Sequence, residues 1–184
     1  MSLERGSDDE ERFRAFAAGS AVSLGRLAYL LCGDRHFAED LVQSCLMKLY
    51  RVWPRIDQPA AVDAYVRQVL LRVWLNERRK PWRRAESRTG VVPDLAATGS
   101  DPALGVGSDH VRQLLRQALA EVPPRQRVAV VLRYWSQLSV TETAAIMRCS
   151  EGTVRSQTAR GLTALRAAMT RLGGAATLAR ELSS

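Results

Sequence analysis

Arginine recurs at helical spacing in two segments of the chain, and one of these segments also carries tryptophan. In residues 72–88, seven basic side chains accompany two acids, with Trp74 and Trp82 among them. Guanidinium groups suit phosphates and indole rings suit unstacked bases, a combination typical of proteins that bind single-stranded nucleic acid. Each feature also has an alternative explanation. Trp74 could pack in a core instead of binding a base, and residues 78–80 could form a solvated helix end, where cations interact favourably with the helix dipole. The charge density favours nucleic acid.

The second arginine-bearing segment reads SVTETAAIMRCSEGTVRSQTARGLTALR, residues 139–166. Ser139 and Glu142 form a capping box that opens one helix, and Ser150 is an N-cap for the next. The break between them predicts a helix-turn-helix, whose second helix turns polar side chains towards DNA. The residues expected to meet bases or phosphates are Ser150, Glu151, Thr153, Arg155, Ser156, Gln157 and Arg160. The alternative is an ordinary helical hairpin with a solvated charged face.

The composition agrees with a polyanionic partner and excludes several other classes. Lys and Arg outnumber Asp and Glu by 27 to 19, giving a net charge of +8, which favours nucleic acid or an acidic membrane surface. The N-terminus lacks a signal peptide, and no uninterrupted apolar run approaches a membrane helix. Three cysteines indicate a reducing cytoplasm. Cys32, His36 and Cys45 fit no common zinc spacing, so the two cysteines are predicted to be buried thiols and no metal or other cofactor is expected.

Helical periodicity dominates, so we predict an all-α protein of two small helical domains joined by a flexible linker. Ser7 and Glu10 indicate a capping box for a first helix that Gly33 ends, and a second helix runs from near His36 until Pro54. A loop at 55–61 precedes a third helix from Val62 to about Lys80. Residues 81–107 are rich in Gly, Pro and Ser and predict the linker. The predicted domains are residues 1–80 and the helix-turn-helix domain 108–172, followed by a tail, 173–184.

Three stretches resemble the extracytoplasmic-function (ECF) sigma factors of bacterial RNA polymerase. AEDLVQSCLMKLYRVW (38–53) is similar to the core of sigma region two. AYVRQVLLRVWLNERRK (64–80) is similar to the helix that opens and reads the −10 element. LAEVPPRQRVAVVLRYWSQLSVTETAAIMRCSEGTVRSQTARGLTALR (119–166) is similar to region four. The resemblance implies a sigma factor that confers promoter recognition and DNA opening on the polymerase, without covalent chemistry of its own.

The resemblance also implies a role for each stretch. Region two is expected to dock on the clamp of the largest polymerase subunit through Glu39, Asp40, Leu41 and Gln43, although the two acids alternatively suit a helix N-terminus. The −10 non-template strand is expected on Arg67, Arg72, Trp74, Asn76, Arg78, Arg79 and Lys80, with a flipped base near the 55–61 loop. Region four is expected to hold the flap of the second-largest subunit and to read the −35 element. An anti-sigma factor is a further candidate partner.

The sequence departs from the family pattern at three positions of the helix-turn-helix. Thr143 and Thr158 stand where many relatives have a larger aliphatic residue, and Arg148 stands where such turns often have glycine. Arg148 therefore predicts either a turn without a positive φ or some backbone strain. The tail AATLARELSS resembles nothing known to us.

Three other functions remain open from the sequence. A helix-turn-helix regulator would bind duplex DNA unaided, whereas a sigma factor binds poorly without the core enzyme. An enzyme is disfavoured by the two histidines, the lack of a glycine-rich phosphate loop and the lack of a nucleophile–base pair. A purely protein-binding adaptor leaves the arginine cluster without a use. We predict a promoter-binding subunit that works in the cytoplasm and does not insert into the membrane.

Overall fold

The regular elements of the chain are helical in a computed structural model that describes residues 2–56, 59–78 and 109–173. The first helical unit comprises α1 (Ser2–Cys32), α2 (Arg35–Tyr50) and α3 (Pro59–Glu77). The second comprises α4 (Asp109–Glu121), α5 (Pro124–Val130), α6 (Val140–Met147) and α7 (Glu151–Arg171). The predicted all-α architecture with two helical units is confirmed. The predicted linker, 81–107, and all but the first residue of the predicted tail lie outside the described residues.

Helix α1 begins earlier than predicted and ends where predicted. It starts at Ser2 and runs through Ser7, so the predicted capping box at Ser7 is wrong. Ion pairs at helical spacing, from Arg12 to Asp9 (3.5 Å) and from Arg14 to Glu10 (2.6 Å), favour helix in this region instead. Gly33 then adopts a φ of +77°, a left-handed conformation that glycine reaches without a Cβ clash and that ends the helix.

The connection from α2 to α3 begins and ends earlier in the chain than the predicted loop. Asp34 caps α2 by accepting a hydrogen bond from the Phe37 amide (2.6 Å), so the helix starts at Arg35. It ends at Tyr50, and a 3-10 turn, Trp53–Arg55, follows. Helix α3 begins at Pro59, three residues before the predicted Val62, because proline is well suited to the first turn of a helix.

The cores of both units are built from the apolar stripes of their helices. In the first unit, each helix contributes fully buried side chains, which include Leu31 of α1, Leu41, Cys45 and Leu49 of α2, and Val66, Leu70 and Trp74 of α3. In the second unit the corresponding residues are Val122, Val128, Leu132 and Val154. Fully burying such a side chain contributes about 1.5–3 kcal/mol to folding.

Cys32 and Cys45 are packed thiols, as predicted. Cys45 is fully buried and its Sγ donates to the Val66 carbonyl oxygen (3.4 Å). Cys32 is partly buried and its Sγ donates to the Asp34 carbonyl oxygen (3.1 Å). Burial raises the pKa of each thiol to about 12, so both are protonated at neutral pH and are poor nucleophiles.

The second unit depends on a close approach between α5 and α7. At Gly161 of α7 an added Cβ would lie 2.7 Å from Val130 Cγ2 and 2.9 Å from the Gln126 carbonyl oxygen. Helix α5 continues as a π-helical turn, Val131–Trp135, before the chain turns towards α6. Glycine at 161 therefore sets the distance at which the last helix crosses the unit.

Helix α1 contains a long apolar segment that a search for uninterrupted apolar runs does not detect. Within the described residues, the helix segment Asp8–Cys32 is long and apolar enough, by length and composition alone, to cross a membrane. Interruptions such as Arg26 concealed this property in the sequence. Leu24, Leu27 and Leu31 of the segment are buried against the rest of the fold. These leucines pack in the core, whereas only 28% of the most apolar window of the segment is buried inside the fold.

Candidate nucleic-acid and polymerase interface

Helices α6 and α7 form the predicted helix-turn-helix. The capping box at the start of α6 is confirmed: Ser139 Oγ accepts from the Glu142 amide (3.1 Å), and the Glu142 carboxylate accepts from the Ser139 amide (2.7 Å). Between the helices, Arg148 has φ 50° and ψ 57°. Of the two predicted options, the chain adopts the left-handed turn, which costs a non-glycine residue about 1–2 kcal/mol.

The N-terminus of α7 presents polar side chains from a firmly capped turn. Ser150 is the N-cap, as predicted, and its Oγ accepts from the Thr153 amide (3.2 Å). Val154 is completely buried and anchors this turn to the unit, whereas Arg155, Ser156 and Arg160 are exposed. Glu151, Thr153 and Gln157 are partly exposed. The seven predicted −35 residues thus lie together on the first three turns of α7.

The Glu151 carboxylate links α6 to α7 and binds Arg155 on this surface. The Glu151 carboxylate accepts from Thr141 Oγ1 of α6 (2.7 Å) and from Arg155 Nη2 (2.8 Å). The Thr141 hydrogen bond lowers the pKa of Glu151, with a smaller contribution from the charge of Arg155. At neutral pH the acid is therefore ionised and orients the Arg155 guanidinium on the exposed side of α7.

Helix α3 presents some of the predicted −10 residues and buries one. Arg72 and Asn76, four residues apart, are exposed, and Arg67 is half-buried. The Trp74 side chain is 0% exposed, so the structure shows the packing alternative rather than an indole offered to a base. Arg78 is also half-buried, with its Cζ 5.6 Å from the Trp74 ring centroid, and burial lowers its pKa. Arg79 and Lys80 lie outside the described residues.

The predicted polymerase-docking residues on α2 divide into exposed and buried members. Glu39, Asp40 and Gln43 are exposed, but Leu41 is 1% exposed and belongs to the core. Leu41 therefore packs beneath the exposed face that carries Glu39, Asp40 and Gln43. The prediction that its own side chain contacts the polymerase is wrong for this structure. The first turn of α2 contains no acid, so attraction to the helix N-terminus does not explain Glu39 and Asp40.

The sequence analysis missed two residues that shape these surfaces. Met47 is 62% exposed and lines a groove on α2 beside Asp40 and Gln43. Its helical spacing from Gln43 is the signal that would have found it. Arg127 is 2% exposed, although an arginine is seldom buried without a charged partner. Its position among the valines of α5 is the only sign of burial in the sequence.

Comparison with known proteins assigns both helical units to one family. Residues 20–84 match the family model "Sigma-70 region 2", and residues 112–165 match "Sigma-70, region 4". The chain is 38% identical over 154 residues to the RNA polymerase sigma-E factor of Streptomyces coelicolor, which covers 84% of each protein. It is 32% identical over 145 residues to the ECF RNA polymerase sigma factor SigE of Mycolicibacterium smegmatis. This alignment covers 77% of this chain and 55% of that protein.

The fold agrees with that of a solved sigma factor. The chain resembles the sigma factor RpoE in its co-crystal structure with the anti-sigma factor NepR from Bartonella quintana. The TM-score is 0.68 at 24% identity, with 87% of this chain and 98% of that chain covered.

Two helical units that match sigma regions two and four, the second containing a helix-turn-helix, define a sigma-70-type initiation factor. The chain belongs to the ECF sigma factors of bacterial RNA polymerase. Its function is promoter recognition in transcription initiation, and sigma factors are not enzymes. The resemblance of the three sequence stretches is therefore confirmed at the level of family and function.

Proposed function

We propose that the first turns of α7 read the −35 element. The observation that carries this proposal is the Glu151 bridge, because it fixes Arg155 on the exposed side of a capped recognition helix. A guanidinium placed this way suits guanine O6 and N7 in the major groove. The amides of the first turn, together with Ser150, suit a phosphate. Thr153, Ser156, Gln157 and Arg160 extend the surface along the same helix.

The −10 element is assigned to α3 and the basic residues that follow it. Arg72 and Asn76 are the exposed members of the set, and Arg67 and Arg78 are half-buried beside them. Arg79 and Lys80 continue the positive charge in the sequence. Trp74 is assigned a supporting role, since its buried indole holds α3 in place and carries Arg78 on its ring face.

The partners follow from the family. Glu39, Asp40 and Gln43, with Met47 beside them, form the surface assigned to the clamp of the largest polymerase subunit. The second unit is assigned to the flap of the second-largest subunit. An anti-sigma factor is a proposed inhibitor, as in the relative bound to NepR. The domain limits 1–80 and 108–172 and a cytoplasmic location complete the proposal.

Run-off transcription with core polymerase tests the −35 assignment through Arg155→Ala. Loss of one bidentate base contact, about 1–3 kcal/mol, predicts that transcription from promoters that require a −35 element falls by about fivefold or more. Arg166→Ala is the matched control, because Arg166 is an exposed arginine of the same helix about three turns away. Equal loss in both variants, or loss in neither, would contradict the assignment of α7.

A binding assay separates this function from that of an autonomous helix-turn-helix regulator. The proposal predicts weak binding of promoter duplex by the free chain and specific binding once core polymerase is added. The weak binding should depend steeply on salt, with log affinity falling by about 0.9 per phosphate contact for each unit of log salt. Tight, specific binding by the free chain would favour the regulator.

A further inference from the structure

A small crevice lies beside the contact between α3 of the first helical unit and α6 of the second. At this contact Gln68 Nε2 donates to the Ala145 carbonyl oxygen (3.1 Å). The crevice is lined by residues of α3, α5, α6 and the turn between α6 and α7. Of these residues, only Arg72 belongs to a surface assigned in the proposed function. The crevice as a whole therefore has no role so far.

The walls of the crevice are aliphatic. Leu71, Val128 and Ile146 are buried, and Leu75 and Met147 are half-buried at its edge. We call these five side chains the aliphatic walls. In the part of the chain that the structure describes, no aromatic ring and no carboxylate lines the crevice. Ligand pockets are mostly apolar with a few placed polar groups, and walls without a ring suit a flexible aliphatic chain.

Three arginines surround the mouth of the crevice. Arg72 of α3, Arg125 of α5 and Arg148 of the turn line it, and all three are exposed. We call them the arginine rim. Within residues 2–56, 59–78 and 109–173, none of these guanidinium groups has a hydrogen-bond or ion-pair partner. Because three unpaired like charges around one opening repel each other, an anion at the mouth is electrostatically favoured.

Arg148 occupies the rim in a conformation that costs free energy. Its φ of 50° and ψ of 57° are left-handed, a region that glycine adopts without a Cβ clash. Glycine at this position would remove both the strain and the guanidinium. Strained residues that persist in a fold concentrate at functional sites and ligand contacts. The backbone of Arg148 is thus a second observation, independent of the charge, that points to this crevice.

The size of the crevice and the charge of its rim define the ligand. The cavity volume is about 90 Å³, which accommodates on the order of six water-sized groups at roughly 15 Å³ each. A short aliphatic chain fills this space and leaves its head group among the arginines. A phosphate monoester, with a charge of about −1.5 to −2 at neutral pH and oxygens that accept bidentate bonds from arginine, matches three guanidinium groups better than a singly charged carboxylate does.

We propose that this crevice binds a phosphate monoester with a short aliphatic chain, its phosphate on the arginine rim and its chain between the aliphatic walls. The site itself goes beyond the proposed function. One consequence rests on that function: Arg72 also belongs to the set assigned to the −10 element, so the ligand and the promoter strand compete for its guanidinium.

Isothermal titration calorimetry on the full chain tests the site with hexyl phosphate, inorganic phosphate and 1-hexanol at one ionic strength. Hexyl phosphate should bind at least about tenfold more tightly than either of the others, because each buried methylene strengthens binding about fourfold. Equal affinity for hexyl phosphate and inorganic phosphate would overturn the proposal, since the rim would then bind any phosphate, that of DNA included. Equal affinity for 1-hexanol, or no binding of hexyl phosphate, would also overturn it.

The variant Arg148→Gly separates a ligand contact from a structural role. Its affinity for hexyl phosphate should fall about tenfold, through loss of a hydrogen bond between charged groups, while its melting temperature stays the same or rises because the strain is relieved. Arg166→Ala is the matched control, since Arg166 is an exposed arginine of α7 that does not line the crevice, and it should bind as the wild type does. Unchanged affinity with a lower melting temperature in Arg148→Gly would overturn the role of Arg148 in the site.

Run-off transcription tests the competition for Arg72. Saturating hexyl phosphate should reduce transcription by the wild type and reduce it less by Arg148→Gly, each relative to its own rate without ligand. Binding in the calorimeter without any effect on transcription would overturn the competition. Failure of the folded wild type to direct initiation by core polymerase would instead refute the proposed function, and the calorimetry would still decide whether the crevice binds its ligand.

Discussion

Thr143 carries a polar atom into the packed interface of α6, and it is one of the positions where the sequence departs from its family. Its side chain is 0% exposed and its Oγ1 has no hydrogen-bond partner among the described residues. The Oγ1 of Thr158 on α7 is in the same situation. A buried hydroxyl without a partner costs about 1–3 kcal/mol relative to a satisfied one. The unpaired hydroxyls of Thr143 and Thr158 are therefore expected to destabilise the helix-turn-helix.

Thr143→Val is predicted to stabilise the protein by about 1 kcal/mol, because valine has nearly the same shape and removes the unpaired hydroxyl. Thr141→Val on the same helix is the matched control and should be destabilising, since the Thr141 hydroxyl donates to Glu151. The free energy of unfolding in urea measures both effects. A destabilised Thr143→Val variant would show that the hydroxyl has a partner in solution.

At the residue scale, the resemblance of the motifs identified the helices that bear function. It was less successful in identifying which of their side chains are exposed. Leu41 and Trp74 both lie within matched motifs, yet both are buried in the core. Their neighbours Asp40 and Asn76 are exposed. Exposure depends on the rotation of each helix relative to its packing partners, and a single motif does not contain that information. The burial of Arg127 could not be predicted for the same reason.

At the scale of elements, the start of α6 was predicted well because a reciprocal side-chain cap defines it. The starts of α1 and α3, which no such cap defines, were not predicted. Ser139 with Glu142 caps α6 as predicted, because all of its hydrogen bonds are local. Ser7 with Glu10 has the same spacing but lies inside α1, since the residues before it are also helical. The start of α3 at Pro59 was missed because the apolar periodicity used for the prediction begins at Val62, which is buried.

The caps of the helix-turn-helix predict a pH dependence. Hydrogen bonds from Ser139 lower the pKa of Glu142, so its folded-state pKa lies below the unfolded value of about 4.3. A group shifted in this direction stabilises the fold above its unfolded pKa, and this contribution is lost as the pH falls through its folded pKa. Glu142→Gln should therefore be less stable than the wild type at pH 7, with the difference shrinking towards pH 3.

Thermal unfolding followed by circular dichroism at pH 7 and pH 3 measures this effect. Glu11→Gln is the control, because Glu11 is an exposed glutamate of α1 outside any cap, and it should change little at either pH. A difference between Glu142→Gln and the wild type that stays constant with pH would refute the link to the cap.

The crossing of α5 and α7 makes a second prediction for an element. Gly161→Ala should destabilise the second unit by about 1–3 kcal/mol, because its Cβ would meet the Gln126 carbonyl, a backbone atom that cannot rotate away. Gly25→Ala in α1 is the matched control. No heavy atom lies within 4 Å of its added Cβ, so the higher helix propensity of alanine should stabilise by about 0.5–1 kcal/mol. Equal effects on the free energy of unfolding would exclude the close approach.

At the scale of the whole molecule, the sequence predicted two helical units but not their packing against each other. The contacts that join them link residues 77 to 96 positions apart, such as Gln68 with Ala145 and Leu31 with Arg127. Such contacts leave no periodic signal, and each unit has a complete apolar stripe without them. The composition of residues 81–107, which lie outside the described residues, predicts a linker between the units.

Run-off transcription from a library of genomic fragments, with core RNA polymerase in the presence and absence of this chain, tests the central claim most directly. Promoter recognition by two arginine-bearing helical units predicts that the chain directs initiation to a specific subset of fragments that share −10 and −35 elements, with little initiation by the core enzyme alone. An identical pattern of transcripts with and without the chain would contradict the account.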